Sequence, residues 1–240
     1  MIKVGLCGWT IGINEYFERF AVVEVQQTFY HPPERRTMLR WREAAPAGFE
    51  FTLKAWQLIT HRATSSTYGR FKGQLTESEK EDCGSFQWTD VVRKAWNTTA
   101  DCARILHASS VLFQCPASFR PVEENFDRMR RFFQSVERHG LRFLWEPRGP
   151  WPADVILTLC RELELIHVVD PFVNQSVTPE LIYYRLHGIT GARHVYSDEE
   201  LRRLAAMVPA GGDSYVMFNE MPRDQDSARF MRMINMPSGR

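Results

Sequence analysis

Eight short runs rich in β-branched and aromatic residues recur along the chain, and no hairpin turn signal joins any neighbouring pair. They are IKVGLCG (2–8), VVEVQQTFY (22–30), FEFTLKA (49–55), SSVLFQCP (109–116), RFLWEPR (142–148), LIHVVDP (165–171), IYYRLHG (182–188) and SYVMFNE (214–220). Strands that lack hairpins pair in parallel, and parallel pairs need long crossovers. Several intervening segments have helical period. In 122–136, Val122, Phe126, Met129, Phe132, Phe133 and Val136 share one face, and Gly140 follows as a stop signal. Val92, Ala95, Trp96, Thr99, Ala103 and Leu106 do the same in 91–106, as do Val155, Ile156, Leu159, Cys160 and Leu163 in 153–163. Ser197 with Glu200 three residues on has the form of a capping box before Leu201, Leu204 and Ala205. A last helix over 224–235 is expected to bury Ala228, Met231 and Ile234.

Eight βα units in about 250 residues is the size and order of an α/β protein of the (β/α)8 TIM barrel class. An open doubly-wound sheet is the rival, but the count of eight and the lack of a G-x-G-x-x-G favour the barrel. The segment 171–181, PFVNQSVTPEL, is too short for a full helix between strands six and seven. A somewhat distorted barrel is expected there, with a long loop, 56–86, after strand three. No repeat, low-complexity tract or linker interrupts residues 1–240, which predicts a single domain.

Net charge is +1, so no global field draws nucleic acid or an anionic membrane, and nucleic acid is not favoured as a partner. The five cysteines are odd in number, form no C-x-x-C and sit in apolar contexts such as VLFQCP and LTLC. That pattern argues against a disulfide framework or structural zinc, and a reducing cytoplasm is the expected address. No run approaches the roughly 20 apolar residues of a membrane span. The start, MIKVGLCGW, has too short an apolar run for a signal peptide.

In this architecture the C-terminal ends of the strands build the site. Alternate residues share a face, roughly 6.5–7 Å apart. Strand two then offers Glu24, Gln26 and Thr28, strand three Lys54, and strand four Gln114. Strand five offers Glu146 and Arg148, and strand six ends at Asp170. Strand seven gives Arg185 and His187, and strand eight Asn219. A buried charge must be paired or hydrogen-bonded, and these cations and carboxylates nearly cancel. Each residue also has a plain structural reading. Glu24 would pair with Lys54 or Arg148 inside the barrel. Gln26, Thr28 and Gln114 would be satisfied core polars, and Asp170, before Pro171, a turn residue.

In the long loop, 56–61 is expected to form one helical turn. His61, Arg62, Arg70 and Lys72 make the first half basic, with Tyr68 and Phe71 placed to cover a ligand. Residues 60–73 are either a lid or a surface excursion. The acidic TESEKED stretch is expected to be solvated, and Arg35, Arg36, Arg40 and Arg42 to lie on an exposed helix face.

The stretches GLCGW (5–9), VEVQQTFY (23–30), FTLKAWQLITH (51–61), VLFQCPASF (111–119), WEPRGPW (145–151), YYRLHG (183–188) and YVMFN (215–219) run nearly end to end. On them the chain resembles domain-of-unknown-function family 72, also called the YecE-like family, which has a TIM-barrel fold. The resemblance implies site-lining roles for Trp9, Glu24, Thr28, Tyr30, Lys54, His61, Gln114, Glu146, Arg148, Trp151, Asp170, Arg185, His187 and Asn219. Two positions depart from the family pattern. Gln26 stands where many relatives have Asn, and Glu220 follows Asn219 in place of a second Asn, adding a negative charge near the mouth.

The leading expectation is a metal-independent enzyme, without cofactor, acting on a small anionic ligand. Arg148 and Arg185 would clamp a carboxylate or phosphate, and Arg185→Ala is expected to abolish binding while the fold survives. His187 is the natural proton carrier. Glu146 would orient Arg148 or act as the opposing base, and Lys54 would add a point charge. These three are the candidates for catalysis. One alternative is a divalent-metal hydrolase or isomerase using Glu24, Glu146, Asp170, His187 and Glu220. The lone histidine and three nearby cations weigh against it. Another is a non-catalytic module for a nucleotide, nucleic acid or protein, with Trp9, Tyr30, Trp56 and Trp151 as stacking surfaces. No motif sets the substrate, the reaction or the oligomeric state.

Overall fold

The computed structural model describes residues 1–235. Eight parallel strands close into a barrel in chain order. They are β1 (Ile2–Cys7), β2 (Val22–Val25), β3 (Glu50–Lys54), β4 (Ser110–Gln114), β5 (Arg142–Glu146), β6 (Leu165–Val169), β7 (Leu181–Leu186) and β8 (Asp213–Phe218). The helices are α1 (Ile13–Arg19), α2 (Gln27–Tyr30), α3 (Arg35–Ala44), α4 (Gln57–Thr60), α5 (Glu77–Asp82), α6 (Asp90–Leu106), α7 (Glu123–Ser135), α8 (Ala153–Glu162), α9 (Asp198–Met207) and α10 (Arg223–Asn235). No helix falls between β6 and β7, as the shortness of that segment predicts.

Closure depends on β1, which pairs Gly5 with Val22 on one side and with Met217 on the other. Glycine is required there. A Cβ on Gly5 would lie 2.4 Å from the Val22 carbonyl oxygen and 2.9 Å from Met217. The outer faces of the strands bury their apolar residues against the helices. Phe113 and Phe143 meet Trp96 of α6 and Phe133 of α7 with ring centroids 5.1–6.0 Å apart. Burying such a side chain contributes roughly 1.5–3 kcal/mol, before any edge-to-face gain.

The barrel interior is layered, because every second residue of each strand points inward. Cys7, Val22, Leu112, Leu144, Val168, Tyr183, Tyr215 and Met217 form its apolar filling. Below them, at the N-terminal base, Glu50 accepts from Lys3 Nζ (2.5 Å), Arg142 Nη2 (2.7 Å), Tyr215 Oη (2.8 Å) and Ser109 Oγ. Above them sits a second ionic layer, described below.

Three sequence expectations need correction. β2 ends at Val25, not 30, because Gln26 already has helical backbone angles and α2 begins at once. TESEKED is solvated, as expected, and within it Thr76 and Glu79 form a capping box that starts α5. In α10 the buried residues are Asp226, Ser227 and Phe230, while Ala228, Met231 and Ile234 are half-buried. The helix is rotated because Asp226 accepts from Tyr196 N at 2.9 Å, tying it to the loop after β7. Arg35, Arg36 and Arg40 are exposed, but Arg42 folds back to donate to the carbonyls of Phe49 and Pro46.

The loop at 60–73 is pinned rather than free. Tyr68 Oη donates to the His61 carbonyl at 2.9 Å, Phe71 packs on Trp56, and Arg70 lies over the Tyr30 ring. The chain returns so close to His61 that a Cβ on Gly84, with φ of +79°, would sit 2.3 Å from its carbonyl. All five cysteines are buried free thiols. Among the described residues no helix is long and apolar enough to cross a membrane.

Candidate functional site

The C-terminal ends of the strands bring a set of ionic side chains to one layer. Cross-strand register aligns Glu24 of β2 with Cys7 and Thr52, and Gln114 of β4 with Glu146 of β5. Arg185 of β7 reaches across this layer. Its Nε donates to both oxygens of Glu24 (3.0 and 3.2 Å), its Nη2 to Glu24 Oε1 (2.9 Å), and its Nη1 to Glu146 Oε2. All three residues are almost wholly buried. Tyr183 Oη adds a bond to Glu24 at 2.9 Å. Each Arg185 nitrogen therefore already donates to a carboxylate and the side chain is almost wholly buried, which is the setting of a structural ion pair and differs from the ligand clamp expected of it. It is a strut that bridges two buried carboxylates, and its removal would strand Glu24 and leave Glu146 with Arg148 alone.

Arg148 is differently placed, two residues beyond the end of β5 and about a third exposed. Its Nη2 reaches Glu146 Oε1 (2.7 Å) and His187 Nε2 (2.6 Å). Its Nε is buried without a partner among the described residues. His187 lies just past β7, with its main-chain N–H donated to Asp170 Oδ2 at 2.9 Å. The other oxygen of Asp170 accepts from Phe172 N at 3.0 Å, so this carboxylate ties together the loops after β6 and β7.

The imidazole touches three groups. Asn219's side-chain amide is 2.9 Å from Nδ1, while Glu146 Oε1 is 3.1 Å and Arg148 Nη2 2.6 Å from Nε2. A guanidinium only donates, so the neutral ring presents its Nε2 lone pair to Arg148, and the Nδ1–H tautomer this leaves requires the Asn219 amide to turn its oxygen, in place of Nδ2, toward the ring. Burial lowers the His187 pKa below the ordinary 6.5, against the opposing pull of the Glu146 hydrogen bond. Burial alone would raise the Glu146 pKa, yet Arg185, the His187 bond and Arg148 hold it well below the usual carboxylate range. At neutral pH the pair is a neutral imidazole beside a carboxylate.

Lys54 is also in this layer but has no carboxylate partner among the described residues. Its Nζ donates to Gln114 Oε1 at 2.8 Å and lies 3.8 Å from the Phe29 ring centroid. Burial, then the Arg185 charge, pushes its pKa down to about 7.

Other predicted site residues are engaged elsewhere. Thr28 is buried on α2, and its hydroxyl is shared between the Val25 and Lys54 carbonyls. His61 is bound to Thr60 Oγ1 at 2.8 Å and packed on Phe29, and burial lowers its pKa to about 3. Trp9 packs among Tyr16, Phe17 and Trp41, and Tyr30 sits beneath Arg70. Trp151 donates to the Phe119 carbonyl at 3.1 Å and packs edge-on against Trp145. Gln26 donates to Glu24. Glu220 is wholly buried, with Asp226 and Arg223 as charged neighbours; burial raises its pKa to about 7. The negative charge expected there is therefore much reduced. Burial also pushes the Cys115 thiol up to about 12, which leaves it unreactive.

A cleft of about 840 Å³ opens beside this layer, lined by Glu146, Arg148, Trp151, Asp170 and His187. It continues past Ile156 of α8 and His167 of β6 to Asn174, Gln175 and Val177. Strand-end logic missed these last residues, because His167 faces outward and the rest follow the strand. The signal was present as a crossover too short to hold a helix.

A family model described as "Protein of unknown function DUF72" matches residues 10–238. The fold is similar to that of a DUF72 family protein from Enterococcus faecalis, with TM-score 0.69 and 19% identity over 99% of this chain and 98% of that one. A DUF72 family protein from Thermotoga maritima matches with TM-score 0.68 and 18% identity, over 98% of this chain and 100% of that one. A D-psicose 3-epimerase from Clostridium cellulolyticum shares the barrel at TM-score 0.59 and 9% identity, over 96% and 97% of the two chains. A search of curated protein sequences finds no match.

Proposed function

The chain belongs to the DUF72 family, whose function is unknown, and from that premise we propose a single-domain barrel enzyme that acts on a small oxyanion-bearing ligand without a metal. The observation that carries this reading is the buried, unpartnered Nε of Arg148, on a guanidinium that lines the cleft. An orphaned buried donor costs roughly 1–3 kcal/mol, and a bidentate oxyanion satisfies it with the geometry arginine favours.

The same contact supplies a proton acceptor. When an oxyanion draws the Arg148 guanidinium away, Nη2 leaves His187 Nε2 and the lone pair is free. His187, neutral near pH 7, then accepts a proton from the ligand or from a water. The new Nε2–H faces Glu146 Oε1, 3.1 Å away, whose charge stabilises the imidazolium. Asn219 holds the ring from the other side.

Metal independence is supported by how the carboxylates are used. Both oxygens of Glu24 and of Glu146 already serve cationic partners. Among the described residues no cluster of three or more His, Cys, Asp or Glu side chains is arranged to hold an ion.

A thermal-shift titration with inorganic phosphate and small carboxylates tests the reading, since a bound ligand raises Tm by mass action. Wild-type protein should be stabilised and Arg148→Ala should not. Equal stabilisation of both proteins would remove Arg148 from the site.

A further inference from the structure

The cleft is far larger than an oxyanion needs. Clefts of about 300–1,000 Å³ take ligands of drug or cofactor size, and this one measures about 840 Å³. Its extra length lies where the crossover helix between β6 and β7 is missing. The substitute is an ordered strap held at both ends. Asp170 accepts from Phe172 N at 3.0 Å and from His187 N at 2.9 Å. At the other end His167 holds three consecutive residues. Its ring Nδ1 accepts from Val177 N (3.3 Å), its carbonyl accepts from Ser176 Oγ (3.3 Å), and its N–H donates to Thr178 Oγ1 (2.9 Å). Burial lowers the His167 pKa to about 4, so the ring remains an acceptor at neutral pH. The strap therefore bridges the gap without collapsing into it.

The walls change character along the cleft. At the inner end stand Arg148 and His187. Farther out, Trp151 and Ile156 are buried, Val177 is half-buried and Val173 is 72% exposed. Asn174 and Gln175 are exposed beside them, with no side-chain hydrogen bond among the described residues.

We infer that the ligand has two parts: an oxyanion held at Arg148 and His187, and an apolar ring seated between α8 and the 170–178 strap. The substrate class is an organic oxyanion attached to a ring, with Asn174 and Gln175 placed for polar substituents on it. This inference rests on the anion reading above and adds the second subsite.

The test uses isothermal titration of three probes: inorganic phosphate, phenyl phosphate and 1-naphthyl phosphate. Ala153→Trp fills the outer cleft from an exposed position at the start of α8, and Gln175→Trp fills it from the strap. Circular dichroism and Tm confirm that each variant folds. 1-Naphthyl phosphate should bind wild type at least tenfold more tightly than phosphate, with phenyl phosphate between them. Either tryptophan variant should lose that advantage and keep phosphate affinity within twofold. Arg148→Ala should lose all three probes. Equal affinity for the three probes, or an aryl advantage that survives both tryptophan variants, overturns the second subsite and leaves the anion reading standing. Failure of wild type to bind any probe overturns both.

Discussion

The barrel carries two ionic layers, one at each end of its apolar filling, and they are built to opposite rules. At the base, Glu50 is a single carboxylate surrounded by Lys3, Arg142, Tyr215 and Ser109. Its pKa is lowered: burial alone would raise it, but bonds from Lys3, Ser109 and Tyr215 outweigh that. At the mouth, Glu24 and Glu146 share Arg185 in a closed pair of bridges, while Arg148, His187 and Lys54 stand around them with capacity to spare. Ionic residues inside a barrel therefore do not by themselves mark a site. A saturated network is a plug. A network that leaves a buried donor unpaired beside an open cleft is a candidate for binding.

The comparison can be broken most forcefully at Arg185. Arg185→Leu leaves Glu24 buried without a cation and Glu146 with Arg148 alone. Breaking such a pair costs about 3–5 kcal/mol, which urea denaturation would register as a large drop in midpoint. A stability change under about 1 kcal/mol would mean that the strut is an exposed-type ion pair after all.

Glu50→Gln at the base should cost less, about 1–3 kcal/mol, because Lys3 and Arg142 keep contact with water. Phosphate affinity should be unchanged. A base variant that altered anion binding would erase the distinction between the two layers.

Lys54 sharpens it further. Its pKa falls from 10.5 to about 7 on folding, so between those values the unfolded chain holds a proton that the native state lacks. Stability should rise with pH across that window. Lys54→Met should abolish the rise and gain roughly 1–2 kcal/mol near pH 7. Parallel stability–pH curves for the two proteins would show that Lys54 is well solvated.

Much of this was legible in the residues, and the failures have physical causes. Strand alternation placed Glu24, Lys54, Gln114, Glu146, Arg185 and Asn219 at one rim, because a period of two leaves no choice once one face is buried. The same logic overran β2, since Thr28, Phe29 and Tyr30 have strand-like side chains yet form α2. It also passed over Thr76 and Glu79, whose capping-box spacing announces α5. What alternation cannot supply is pairing. Arg148 and Arg185 read alike in the sequence, as two cations near strand ends suited to clamp an anion. Only the fold shows that every Arg185 nitrogen serves Glu24 or Glu146 while Arg148 keeps an unpaired nitrogen. The outer cleft was half visible, in a crossover too short for its helix.

The contrast between the two mouth arginines is also the most direct measurement available. Nitrogen-15 NMR resolves individual arginine Nε–H signals and follows each during a phosphate titration. The Arg148 signal should shift and saturate as its orphaned donor finds an acceptor, while the Arg185 signal, locked to Glu24, stays where it is. A static Arg148 signal at saturating phosphate, or a moving Arg185 signal, would contradict the assignment of one as binder and the other as strut.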